Sequence, residues 1–144
     1  MPRSYPATFE DILVEKLREE LAPVREEPVK VLDSKTIDKG GVGEFTVESA
    51  GRHSALIVTV KATYDPNATK GVRVRWLYSA DGESFDSPED AEDAGNFEDL
   101  TFEAGKTRQR TLLIPLFQRY TKVQIVNLDA SYSVVVDVWR TFLR

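Results

Sequence analysis

The sequence predicts an all-β fold: an antiparallel β-sandwich, jelly-roll-like and of about eight strands, with an N-terminal amphipathic helix. Three observations carry that prediction. Apolar and polar side chains alternate at period two along most of the chain beyond Val29. Clusters of Gly, Pro, Asp and Asn break the alternation at short intervals. Between most of the resulting segments there is no stretch with helical spacing of apolar residues.

The clearest segment runs from Gly71 to Ser79. Val72, Val74, Trp76 and Tyr78 fall on one face, Arg73 and Arg75 fall on the other, and the run leads into an Asp81-Gly82 turn. Such a strand belongs in a sheet with one dry and one wet face. The same reasoning places strands near 29–37, 43–49, 55–64, 72–79, 97–103, 107–114, 120–127 and 132–143. Lys39-Gly40-Gly41, Ser49-Ala50-Gly51, Asp65-Pro66-Asn67 and Ala104-Gly105 supply turns between them, each with residues that tolerate the turn backbone. Trp76 and Trp139 read as core anchors.

Two helices are expected. Residues 8–21 begin with Thr8 and Asp11, a near match to a capping box, and carry Phe9, Ile12, Leu13, Leu17 and Leu21 on one stripe before Pro23 and Pro28 stop them. The chain therefore divides into an N-terminal helical arm, 1–28, and a sandwich domain, 29–144. The second helix is short. Ser87 as N-cap, Pro88 in the first turn, Glu89 and Asp90 behind it and Gly95 beyond the end make one turn or so of helix within the longest loop.

Some strands are apolar on both faces. Val134, Val136, Val138 and Phe142 line one side of the last strand and Val135, Trp139 and Leu143 the other, and Ala55 to Val60 is similar. A sandwich interior covers one face only, so the second needs the N-terminal helix, the long loop or another subunit. The expectation is the helix for part of it and a subunit contact for the remainder.

Bulk composition narrows the function. With 144 residues and 41% hydrophobic content, the chain makes one domain that can bury a core without disulfides or metal. It has no cysteine, which removes disulfide frameworks, thiolate metal sites and cysteine nucleophiles together. The N-terminus lacks the apolar core of a signal peptide, and no apolar run approaches a membrane span. The expected setting is cytoplasmic or within a virion, without membrane contact. Net charge is −5, but ten of the 24 acids lie between Asp81 and Glu103, a span with no Lys or Arg, so the rest of the chain is mildly basic. That acidic run reads as a solvated loop, with steering of a partner or packing between identical subunits as the alternative.

Catalytic constellations are missing. The single histidine, His53, follows a turn in Ala50-Gly51-Arg52-His53-Ser54, has no Gly-x-Ser-x-Gly elbow to serve, and reads as a surface turn residue. Gly105-Lys106-Thr107 resembles the end of a phosphate-binding loop, but position 100 is Leu and a strand follows instead of a helix. Paired carboxylates are numerous between Asp81 and Glu103, yet glycoside hydrolysis needs one of them in an apolar cleft, and so dense a cluster stays hydrated. Asp81, Glu83 and Asp86 gather oxygens around a Gly turn, and calcium is the ion they would take, although the EF-hand ligand order is absent. No other cofactor is expected. Arg73, Arg75, Arg108, Arg110, Arg119 and Lys122 occupy alternate strand positions and read as a solvated wet face. Trp76 and Tyr78 lie opposite Arg73 and Arg75, so there is no stacking platform and nucleic acid is not an expected partner.

Two fragments carry a family resemblance. Trp76-Leu77-Tyr78-Ser79-Ala80-Asp81-Gly82-Glu83-Ser84-Phe85 and Arg119-Tyr120-Thr121-Lys122-Val123-Gln124-Ile125 are similar to a strand, turn and core strand of discoidin-like domains, the coagulation-factor C-type jelly rolls, and of related carbohydrate-binding sandwiches. The resemblance implies the jelly-roll scaffold. It departs from the family in lacking the terminal cysteine pair, in having Phe85 where Trp is usual, and in the helix that precedes the strands. The functional expectation is a non-catalytic structural or assembly subunit, phage- or virion-like, that forms homo-oligomers or binds other structural proteins. The alternative is a module for carbohydrate or a similar surface ligand, with calcium assisting.

Overall fold

The computed structural model describes residue 8, residues 25–49, residue 51 and residues 53–144. The predicted helix over 8–21, and with it most of the arm 1–28, lies outside the described residues.

The eight expected strands are present: β1 Val29–Ile37, β2 Val42–Glu48, β3 Ala55–Tyr64, β4 Val72–Ser79, β5 Phe97–Asp99, β6 Thr107–Pro115, β7 Tyr120–Asn127 and β8 Val134–Leu143. They form two antiparallel four-stranded sheets, sheet A in the order β1-β8-β3-β6 and sheet B in the order β2-β7-β4-β5. This interleaved order, with each sheet drawing strands from both halves of the chain, is that of an eight-stranded jelly roll. The helix expected inside the long loop is α1, Pro88–Asp93, with the Ser87 hydroxyl accepting from the Asp90 amide and Gly95 at φ 79° behind it.

Period-two alternation decides which side chains enter the sandwich. Leu56, Val58, Val60, Ala62 and Tyr64 of β3 face Val72, Val74, Trp76 and Tyr78 of β4, with Val123 and Ile125 of β7 and Val134, Val136 and Val138 of β8 completing the core. Each fully buried aliphatic side chain contributes about 1.5–3 kcal/mol relative to exposure. Tyr78 is held by its hydroxyl, which donates to the Pro115 carbonyl, and burial pushes its phenol up to about 12.

Two expectations are corrected here. The segment predicted to extend over 97–103 pairs only from Phe97 to Asp99, because the chain then turns to bury Leu100 and set Phe102 edge-on against Tyr64. Trp139 is not a core anchor. It pairs with Thr59 and Lys30 on the outside of sheet A, half-buried, with the Lys30 ammonium 5.0 Å from its ring centroid.

One end of the sandwich is tied by Asn127 and Asp129, both buried. The Asn127 amide donates to the carbonyls of Ile37, Asp38 and Tyr132, and its oxygen accepts from the Asp129 amide. The Asp129 carboxylate accepts from the amides of Thr69, Lys70, Ser131 and Tyr132, which lower its pKa to about 2. Three loops are thus joined by side chains that offer no periodic signal in the sequence.

Candidate functional site

Sheet B presents a charged outer face, and the acidic loop closes over it. On β4, Arg73 donates to Asp99 at 2.6 Å and to Glu92 at 3.1 Å, while Arg75 donates to the same Glu92 oxygen at 3.1 Å and to Gln124 at 2.8 Å. Gln124 in turn donates to Glu44 on β2. A continuous polar ladder therefore crosses the sheet from β2 through β7 and β4 to α1 and β5. The Arg73 guanidinium, with Arg75 behind it, holds the Glu92 carboxyl below the usual carboxylate range. Further along, Lys122 lies 4.3 Å from the centroid of the Phe85 ring. Beneath the loop Leu77, an outward residue of β4, is only 3% exposed, and Ala91 of α1 is 1% exposed.

The acidic run is mostly the solvated loop that the sequence suggested, with Asp81, Glu83, Asp86, Glu89, Asp90, Asp93, Asp99 and Glu103 exposed. Four of its acids, Glu92, Glu98, Asp99 and Glu103, also pair with arginines of β4 and β6. The expected basic face is likewise divided. Arg108 and Arg110 stand on the side of β6 that carries Leu112 and Ile114, in register with Ala62 and Val60 of the core. Because β5 is so short, the sandwich is open beside them, and they reach across to Glu103, Glu98 and the Asp99 carbonyl. Arg119 lies elsewhere, bonded to Glu48 through two nitrogens.

The three carboxylates considered for calcium are placed separately. Asp81 Oδ1 accepts from the amides of Glu83 and Ser84 and from the Ser79 hydroxyl, which together lower its pKa, so this oxygen shapes the turn. Gly82 completes that turn at φ 82°, close over the Tyr120 ring, where a Cβ would come within 3.1 Å. Asp86 instead accepts from the Tyr78 amide. Among the described residues, no group of three or more His, Asp or Glu side chains is arranged to hold a metal ion.

Sheet A differs. Its outer face carries Ile57, Trp139 and Leu143, all half-buried, and Leu113, which is 59% exposed. Between them run hydroxyl pairs, Thr59 with Thr111 at 2.8 Å and Thr63 with Thr107 at 3.0 Å. Lys61 stands directly opposite Asp137. The face is thus close to neutral and partly apolar.

At the end of the sandwich opposite Asp129 there is an open cleft of about 660 Å³, lined by Glu48, Ser49, Gly51, His53 and the loop from Leu116 to Arg119. His53 corrects the reading as a surface turn residue. Its side chain is 13% exposed, its ring stacks on Phe142 with centroids 4.2 Å apart, and Nε2 lies 3.0 Å from Glu26. Those partners are far away in sequence, so the turn motif alone could not reveal them. Nδ1 is buried without a hydrogen-bond partner among the described residues. Phe117, on the rim, is 75% exposed and leans on Tyr78 at 5.7 Å between centroids.

Among the described residues, no helix is long and apolar enough to cross a membrane. No protein-family model matches the chain, and no curated protein matches it. Among solved structures, a novel family GH115 4-O-methyl-α-glucuronidase with specificity for decorated arabinogalactans shares 13% identity over 86% of this chain, with a TM-score of 0.44. This chain corresponds to 17% of that enzyme's length, and a likeness so distant bears on neither activity nor ligand.

Proposed function

We propose that this protein is a non-catalytic jelly-roll subunit that acts by contact with further copies of itself, as in a phage- or virion-like assembly. The outer face of sheet A carries the reading: Leu113 is 59% exposed there, beside the half-buried Ile57, Trp139 and Leu143. The occupant that suits this face is a second copy. Lys61 opposite Asp137 gives it no net charge, so chains of net charge −5 can meet there without like-charge repulsion. Sheets pack face to face through such β-branched and aliphatic side chains. Eight-stranded jelly rolls serve as viral capsid and lectin domains, and the discoidin-like motifs belong, on this reading, to the shared scaffold.

Light scattering at micromolar concentration tests the proposal. The intact chain is expected to sediment and scatter as an oligomer, and Leu113→Lys to shift it toward monomer with unchanged circular dichroism. A clean wild-type monomer would sink the proposal. Removal of residues 1–24 separates the arm from the face: the same stoichiometry after truncation means that the arm is not the assembly device.

A further inference from the structure

β6, Thr107–Pro115, is a rim of sheet A, with β3 on one side and no described strand on the other. Its pairing with β3 keeps a single register from Ala55 opposite Pro115 to Thr63 opposite Thr107, in contrast to β1, whose register slips against β8. In an antiparallel ladder, successive residues point their N–H and C=O groups alternately to the neighbour and away from it. Two bonds at the ends of this ladder show which are which: the Tyr64 amide donates to the Lys106 carbonyl at 3.0 Å, and the Leu116 amide to the Ser54 carbonyl at 3.1 Å. Even-numbered residues of β6 therefore turn to β3. The amides of Thr107, Gln109, Thr111 and Leu113, with their carbonyls and that of Pro115, line the free edge. These four amide-bearing residues are exposed, and none of those edge groups is bonded to a described residue. A regular edge of this kind is a template for another strand.

We propose that β6 pairs antiparallel with β6 of a second copy about a two-fold axis through Thr111, joining two A sheets into one. The residues of the strand select this register. About Thr111, Thr107 lies opposite Pro115 of the second copy, Gln109 opposite Leu113 and Thr111 opposite itself, so every free amide meets a carbonyl, and the proline, which has no amide, falls at the end of the ladder. Arg108 and Arg110 then face Ile114 and Leu112. A shift of two residues toward the N-terminus sets Arg108 directly against Arg110, a like-charge cross-strand pair. The opposite shift carries Thr107 and Gln109 past the end of the second copy's strand. Both arginines are paired within their own copy, Arg110 with Glu98 and Arg108 with Glu103, so neither holds a second chain off. This contact goes beyond stacking of sheet A faces: it uses the edge, and either contact can form without the other.

Amide hydrogen exchange, followed residue by residue by NMR on the full chain over a dilution series monitored by light scattering, tests it. In the dissociated chain the amides of Arg108, Arg110, Leu112 and Ile114 are expected to exchange slowly and those of Thr107, Gln109, Thr111 and Leu113 quickly; on association the second set should slow by about tenfold or more. Thr111→Pro removes the central donor without breaking a bond to β3 and should return Thr107, Gln109 and Leu113 to fast exchange. Thr111→Cys, in a chain without other cysteines, gives a second reading: mild oxidation should link two copies, since residues opposite each other in such a ladder stand within disulfide reach, whereas Gln109→Cys, facing Leu113, should not. An associated chain whose edge amides still exchange quickly overturns this contact and spares the face. Slow edge amides in a sample that scatters as monomer also overturn it, and would assign the cover to the chain's own residues. Equal crosslinking of Thr111→Cys and Gln109→Cys overturns the register.

Discussion

On sheet B the outward positions of β4 and β7 carry Arg73, Arg75, Lys122 and Gln124, whereas those of β3 and β6 on sheet A carry Ile57, Thr59, Thr111 and Leu113. The charged face is the one that the chain covers itself. A row of arginines attracts and fixes the acidic loop, and the ion pairs are accompanied by apolar burial of Leu77 and Ala91. On the nearly neutral face Leu113 stays 59% exposed, and Ile57, Trp139 and Leu143 are half-buried. Polarity, then, marks here the surface that is internally paired, and blandness marks the surface on which the proposed self-association rests.

The contrast can be broken most severely at Ala91. Ala91→Arg places a long charged side chain where 1% of the surface is exposed, so α1 must lift from β4. The expected cost is about 3 kcal/mol, or a fall of roughly 10 °C in Tm measured by calorimetry. If Tm stays put, the loop is not sealed against the sheet. Next comes Glu92→Gln, which weakens both arginine contacts and should cost about 0.5–1 kcal/mol, less at high salt. Its pH dependence follows from the lowered carboxyl. The pairing is fully present above the ordinary value near 4.5 and is lost as pH falls through the depressed folded value. The stability gap between wild type and Glu92→Gln should therefore be constant at neutral pH and close in acid; a gap that widened in acid would refute the pairing. The smallest effect belongs to sheet A, where Leu113→Lys should change the stability of the dissociated chain by less than about 0.5 kcal/mol in urea titration. A large loss there would mean that Leu113 is structural and would erase the difference between the faces.

Much of the scaffold was legible because alternation is a local property. Val72 to Tyr78 declared its buried side within seven residues, and Ser87-Pro88 with Gly95 declared a helix through backbone chemistry alone. The sites were not legible for the opposite reason. His53 owes its burial to Phe142 and Glu26, and Arg73 owes its partners to the fold of a loop 19 and 26 residues on. A basic stripe followed by a block of ten acids was a usable sign of the pairing that Glu92, Glu98, Asp99 and Glu103 make, although most of the block is solvated as its sequence suggested. Asp129 gave no sign at all, since its four amide donors come from two different loops.

The irregularity of β1 carries a consequence for how copies can meet. This strand forms one rim of sheet A, and its register slips twice between Lys30 and Lys35, around Ser34, which sits at φ 45° with its amide turned in to Asp137. A rim so crumpled offers no straight row of amides to a neighbour. The other rim, β6, is bridged by Arg110 to Glu98 of β5 and by Arg108 to Glu103 beyond it. Strand addition at the β1 rim of sheet A is therefore disfavoured, and a neighbour that approached this sheet would meet its face more readily than that edge.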